Sequence, residues 1–361
     1  MAPVAVAKTL KRRRVLETLG AGEREIQTLL ARNRPLSKAR CPAEALPPEP
    51  QTEDWRQLQA FGAGSAAWST VLACYPQLHF LPQEGLSRTP AWRAAVLGGA
   101  VPPEPSPLAD PEGVALERVE TPGGELPALV FANREDFARC WRLLAWRGEP
   151  VELPDSMGAA LVRGVINWER FRRHLAQWCL QNPAGTPEQA FAAVQGQGEL
   201  YRDRLILATR GSYSDIPTPA GFTPEAWRTH SLAIRLAHEG VHDFTSRVFG
   251  QLGHTVQEEL VADWWGLVKT FGHYEPQLAQ QFLGVEDPGR FRPGGRLATY
   301  QGEPPLSSEA FAVLCRLVRL AVETLAAVPV PTPAQAPKAL VGLLSRSLEE
   351  LAASSLEGGP V

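Results

Sequence analysis

The chain has 361 residues, room for one large domain or two smaller ones, and its 44% hydrophobic and 21% charged residues are an ordinary globular balance. The formal charge of -3 gives no electrostatic footing for a polyanion, so nucleic acid is not an expected partner. Five cysteines (Cys41, Cys74, Cys140, Cys179, Cys315) are odd in number and form no CxxC pair, which favours a reduced, cytoplasmic setting over a disulfide framework.

The start of the chain, MAPVAVAKTLKRRR, puts its basic cluster after a short apolar stretch, the reverse of a secretory leader. No segment reaches the roughly 18 uninterrupted apolar residues of a membrane span. From Thr9 to about Asn33 the pattern is amphipathic helix interrupted at Gly20 and Gly22, and with the Pro-rich stretch around Pro47, Pro48 and Pro50 it reads as an appendage whose KRRR run is a solvated face. A Trp-containing helical region from Thr52 to Cys74 leads to an extended run, QLHFL, and a Pro-rich loop from Val101 to Pro111.

Alternating apolar and polar residues about Pro122, Gly123 and Gly124 predict a β-hairpin, followed by a helix from Arg134 to about Trp146. DSMGAALVRGVI, with Ser156 as its cap, and NWERFRRHLAQWCL read as a helical pair. DRLILATR reads as a strand. A long helix is predicted from the cap Thr223 and first-turn Pro224 to Gly250, and a second from Thr255, with Glu258 at the capping-box spacing, to Gly272. A Pro/Gly-rich segment from Asp287 to Pro305 and two apolar helices, about Ser307 to Ala327 and Pro333 to Ser354, complete a mainly helical α+β chain. By composition it divides into an N-terminal helical region (1–111), a core (112–286) and a C-terminal loop with helices (287–361).

The chemistry sits on the two central helices. His238 and His242 are four apart, so they share one helix face and can bring two imidazole nitrogens to one ion at roughly 2.0–2.1 Å. Glu239 lies beside them, too far round the helix to ligate comfortably but placed to take a proton from a water that the metal activates. The pentapeptide HEGVH is open to chance, and two satisfied histidines on an ordinary helix would look the same. A third ligand therefore decides its meaning.

Sixteen residues separate His242 from Glu259, enough to end the helix, turn, and return on an antiparallel helix whose first turns face the histidines. Glu259 would complete three protein ligands and leave a fourth position open. Asp263, on the same face, could accept a hydrogen bond from a ligating imidazole, and the small Ala262 and Gly266 would let the helices approach. Glu258 lies about 100° away round the helix and its spacing to Thr255 offers it a capping role. His254, in the connecting loop, is a further possible ligand or a solvated turn residue.

HEGVH followed by EELVADWWGL resembles the gluzincin pattern, HExxH with a downstream ExxxD helix, matched here by Glu259, Ala262 and Asp263. The metzincin pattern fails at Thr245 and Val248. The resemblance covers residues 237–266 and implies one zinc ion per chain held by His238, His242 and Glu259, with Asp263 supporting His238. It implies a zincin-like fold, with a small sheet packed on the HExxH helix, and Glu239-assisted hydrolysis of amide bonds in a peptide or protein substrate. It also implies a Tyr or His downstream that steadies the oxyanion, for which His273, Tyr274 and Tyr300 are candidates, with Arg296 a further one. The strand DRLILATR falls where zincins carry a substrate-pairing edge strand, which would set Tyr213 along the cleft. One departure is Asp243, where the family usually has an uncharged residue; facing solvent would accommodate it. Trp264 and Trp265 read as packing. The competing reading is a non-catalytic protein whose metal site serves structure or partner binding, and oligomeric state is not legible.

Overall fold

The computed structural model describes residues 3–36, 46–49, 51–59, 64–102, 108–250, 255–288 and 290–357. In chain order these form α1 (Pro3–Thr18), α2 (Glu23–Arg32), α3 (Gln51–Gln59), α4 (Ser65–Cys74) and α5 (Pro90–Gly98). Next come β1 (Ala115–Thr121), β2 (Gly124–Phe131), α6 (Arg134–Ala145), β3 (Ala159–Ile166), α7 (Trp168–Gln181), α8 (Pro187–Gln195) and β4 (Arg202–Thr209). Six helices end the chain: α9 (Pro224–Phe249), α10 (Val256–Phe271), α11 (Pro276–Leu283), α12 (Ser308–Ala326), α13 (Ala336–Leu344) and α14 (Leu348–Glu357). The chain is α+β and mainly helical, 59% helix with one small mixed sheet. No described helix is long and apolar enough to cross a membrane.

Two compact units emerge, and neither is one continuous segment as the three-part reading of the sequence had it. One comprises residues Met1–Leu46, Thr121–Gly123 and Ser212–Val361; the other, Pro47–Glu120 and Gly124–Gly211. The second unit holds the sheet, in the order β1-β2-β4-β3, with β2 parallel and β3 antiparallel to β4. β4 is therefore paired on both sides, which corrects the edge-strand expectation: its alternate residues Leu205 and Leu207 enter a core with Phe131 and with Phe137 of α6. The segment expected to be helical before α7 is β3 instead. Val162, Val165 and Ile166 are β-branched, a register shift falls between Arg163 and Val165, and Ser156 lies in the turn ahead of the strand and caps no helix. QLHFL is not extended either; Pro76–His79 form a 3-10 turn.

The first unit is helical, and its long element follows from local chemistry. Thr223 Oγ1 accepts from the Ala226 N–H at the start of α9, and Gly250 ends it at φ 74, a left-handed conformation that costs glycine little. The same devices bound α10, with Thr255 accepting from the Glu258 N–H and Gly272 at φ 76. α1 and α2 are no appendage: Val15, Leu16, Ile26 and Leu29 are buried in the same core as α9, α10 and α12. Nor is the KRRR run wholly solvated, because Arg12 bonds Glu349 at 2.9 Å and the Asn33 carbonyl at 2.9 Å. The last predicted helix is two, α13 and α14. Trp264 and Trp265 pack in the core.

Candidate metal centre

α9 and α10 pack antiparallel, so that His242, late in α9, meets the start of α10, while His238, a turn earlier, meets Asp263. Gly266 makes the approach possible, since a Cβ there would stand 3.0 Å from the Ile234 carbonyl oxygen. Gly240, inside HEGVH, allows a second one: a Cβ would come within 2.9 Å of Thr121 Cγ2 in the hairpin tip. Asp243 lies on that side of α9 and is 1% exposed, so the expectation that it faces solvent is corrected. Its neighbour there is Arg247, which donates to the Gly123 carbonyl.

Three donor atoms converge. His238 Nε2 and His242 Nε2 are 3.0 Å apart, His238 Nε2 is 3.4 Å from Glu259 Oε2, and His242 Nε2 is 3.5 Å from Glu259 Oε1. A tetrahedron with bonds of about 2.0–2.1 Å has edges of about 3.3 Å, so the triangle is of the size a four-coordinate zinc ion requires. The three residues form the group of His and acidic side chains that could hold a metal ion among the described residues. With Glu239 they are between 5% and 8% exposed.

The far nitrogens show why an ion fits. His238 Nδ1 donates to Asp263 Oδ1 at 2.9 Å and His242 Nδ1 to Glu258 Oε1 at 3.0 Å. An imidazole protonated at Nδ1 presents a bare lone pair at Nε2, and two such lone pairs at 3.0 Å repel unless positive charge lies between them. Burial opposes charge on His238, yet hydrogen bonds to Asp263 and Glu259 and their charges outweigh it and push its pKa up to about 10. His242 is raised against the same burial, by the Glu259 charge and the Glu258 hydrogen bond. Glu259 is held below the usual carboxylate range although burial opposes this, through His242 and His238, and Asp263 likewise, through Arg296 and His238. The surroundings thus favour positive charge where the Nε2 atoms meet, and the three residues could hold a metal ion there.

The remaining residues fall into two groups. Tyr213 is 3% exposed, and its hydroxyl donates to Asp263 Oδ1 at 2.7 Å and lies 2.9 Å from His238 Nδ1, on the side of the ring away from the converging atoms. It supports the histidine and does not line a cleft. Tyr300 donates to Glu259 Oε2 at 2.8 Å, and Arg296 is ion-paired with Asp263. His273 is exposed and bonded to Glu275 and the Phe271 carbonyl, while the Tyr274 hydroxyl is buried with no hydrogen-bond partner among the described residues. Neither is brought to the three donors by a hydrogen bond. His254 lies outside the described residues. The sequence reading missed Glu258 as the partner of His242: it looked no further than the cap, in which the Glu258 N–H donates to Thr255 Oγ1, while the fully buried carboxylate serves the imidazole.

The model of DUF7005, a family of unknown function, matches residues 14–355. The chain belongs to DUF7005. No curated protein and no solved structure matches it. In this DUF7005 chain the family match takes in both units and all of the residues just described.

Proposed function

We propose that this chain is a zinc-dependent hydrolase of zincin-like type that cleaves peptide or other amide bonds. The observation that carries the reading is the state of Glu239. Glu258, Glu259 and Asp263 are each committed to an imidazole, a phenol or a guanidinium. Glu239 is one residue from His238 and buried with the donor set, and its carboxylate makes no hydrogen bond among the described residues. A carboxylate kept unspent beside three converging ligands is what general base catalysis needs and what a purely structural site has no use for.

His238, His242 and Glu259 would hold the ion, which supplies a Lewis acid that makes water a nucleophile near neutral pH and polarises a carbonyl. Glu239 would accept the proton of the attacking water and return it to the departing amine. Asp263 and Glu258 fix the imidazole tautomers so that both Nε2 atoms face inward. The gluzincin resemblance of residues 237–266 supplies the expectation of a peptide substrate.

The test is zinc content and turnover of a peptide library by the purified protein, beside Glu239→Gln. The expected result is about one zinc per chain in both, with turnover down by roughly 10²–10⁴-fold in the variant. Zinc bound without any Glu239-dependent turnover would leave a non-catalytic metal site and sink the enzyme.

A further inference from the structure

Arg296 and Tyr300 bracket a single 3-10 turn, Arg296–Tyr300, whose Leu297 is fully buried. They are four residues apart, as are Glu259 and Asp263 on α10, and the two pairs meet in antiparallel order: Arg296 with Asp263, Tyr300 with Glu259. We propose that Arg296 and Tyr300 are positioning residues of the metal centre, which lock Asp263 and Glu259 in the rotamers that aim His238 and the third ligand at the ion. The inference rests on the metal-binding reading above and goes beyond it, since HExxH and ExxxD account for neither residue.

Three observations support it. First, a glutamate on a helix is free to sample several rotamers, and the Tyr300 hydroxyl at 2.8 Å from Oε2 selects the one in which Oε1 and Oε2 reach the two imidazoles. Second, Asp263 has its two oxygens divided: Oδ1 receives Tyr213 and His238, and Oδ2 receives Arg296, so the carboxylate plane is fixed from both sides. Third, Arg296 is itself held. Its Nη1 donates to the Tyr213 hydroxyl at 3.1 Å, and its guanidinium carbon stands 5.5 Å from the centre of the Tyr213 ring. Ser214, whose Oγ lies 3.4 Å from the same Nη1, and Asp215 have φ of 50° and 54°, a left-handed conformation rare for such residues and sustained here where the chain presents Tyr213 to Asp263. Both proposed residues act through another side chain, which is the behaviour of a supporting shell and not of a ligand.

The experiment uses the full chain, with Zn²⁺ affinity measured by chelator competition and the visible spectrum recorded after Co²⁺ substitution. Tyr300→Phe and Arg296→Met should each weaken zinc by about 10–100-fold and alter the cobalt bands, and Arg296→Lys should recover part of the loss. Asp263→Asn combined with Arg296→Met should bind no more weakly than Asp263→Asn alone, because Arg296 acts through Asp263. Tyr300→Phe removes one oxygen only, so it keeps the test decisive should Arg296→Met fold poorly. Zinc affinities and cobalt spectra unchanged in both single variants, or fully additive losses in the double, would overturn the proposal while leaving the metal site standing. A wild-type chain that binds no divalent metal would overturn both.

Discussion

Each unit buries a cluster of charge around aspartate, and the two are neutralised differently. In the second unit Asp203 is ion-paired with Arg170 and accepts hydrogen bonds from Asn167 and the Tyr75 hydroxyl, while Asp54 is ion-paired with Arg170 and Arg173, so each acid has a permanent cation. In the first unit Asp263 has Arg296, but Glu258 and Glu259 face imidazoles whose inner nitrogens converge. A guanidinium cannot shed its proton in a protein, so the first arrangement is closed and fixed. Imidazoles can trade a proton for a metal ion, and that makes the other cluster chemically open.

The largest expected effect that separates the two is loss of a ligand. Glu259→Ala should abolish stoichiometric zinc binding, whereas Glu258→Ala, which removes only the support of His242, should weaken it by about 10–100-fold. The reverse ranking in a chelator titration would show that the third ligand is Glu258. Arg170→Met should cost about 3–5 kcal/mol in denaturant unfolding, because it leaves the buried Asp203 without its cation, with zinc content unchanged. A change in zinc affinity there would break the distinction between the clusters.

Protons sharpen it further. His238 must give up its proton before an ion can occupy Nε2, and the pKa of about 10 in the metal-free site sets the window. Zinc affinity should therefore keep rising with pH above the ordinary histidine range, by up to about tenfold per unit, and an affinity that levels off near pH 7 would contradict this. The smallest effect expected is from Gly266→Ala. Its Cβ would press on Ile234, lowering stability by about 1–3 kcal/mol and spreading the two helices that carry the donors.

Much of this site could be read from the sequence because it is local. Helical spacing puts His238 with His242 and Glu259 with Asp263, and caps at Thr223 and Thr255 with glycines at 250 and 272 set where those helices begin and end. What escaped the reading is held together over distance. Arg296 reaches back 33 residues to Asp263 and Tyr300 41 residues to Glu259, and no periodicity links a 3-10 turn to a helix. The same limit hid the packing of α1 and α2, whose Arg12 finds Glu349 337 residues away. β3 escaped for another reason: a short apolar run fits a strand or a buried helix equally well until pairing partners decide.

The close fit of Gly240 against Thr121 bears on how relatives of this chain should be sought. The pentapeptide is usually written with two free positions, but here the first of them has no room for a side chain, and the useful signature becomes HEGxH, then EExxAD, then RxxxY. Each further fixed residue makes a chance match about twentyfold rarer. A sequence that keeps both histidines with a bulky residue in place of Gly240 would have to move the residue that stands where Thr121 does here.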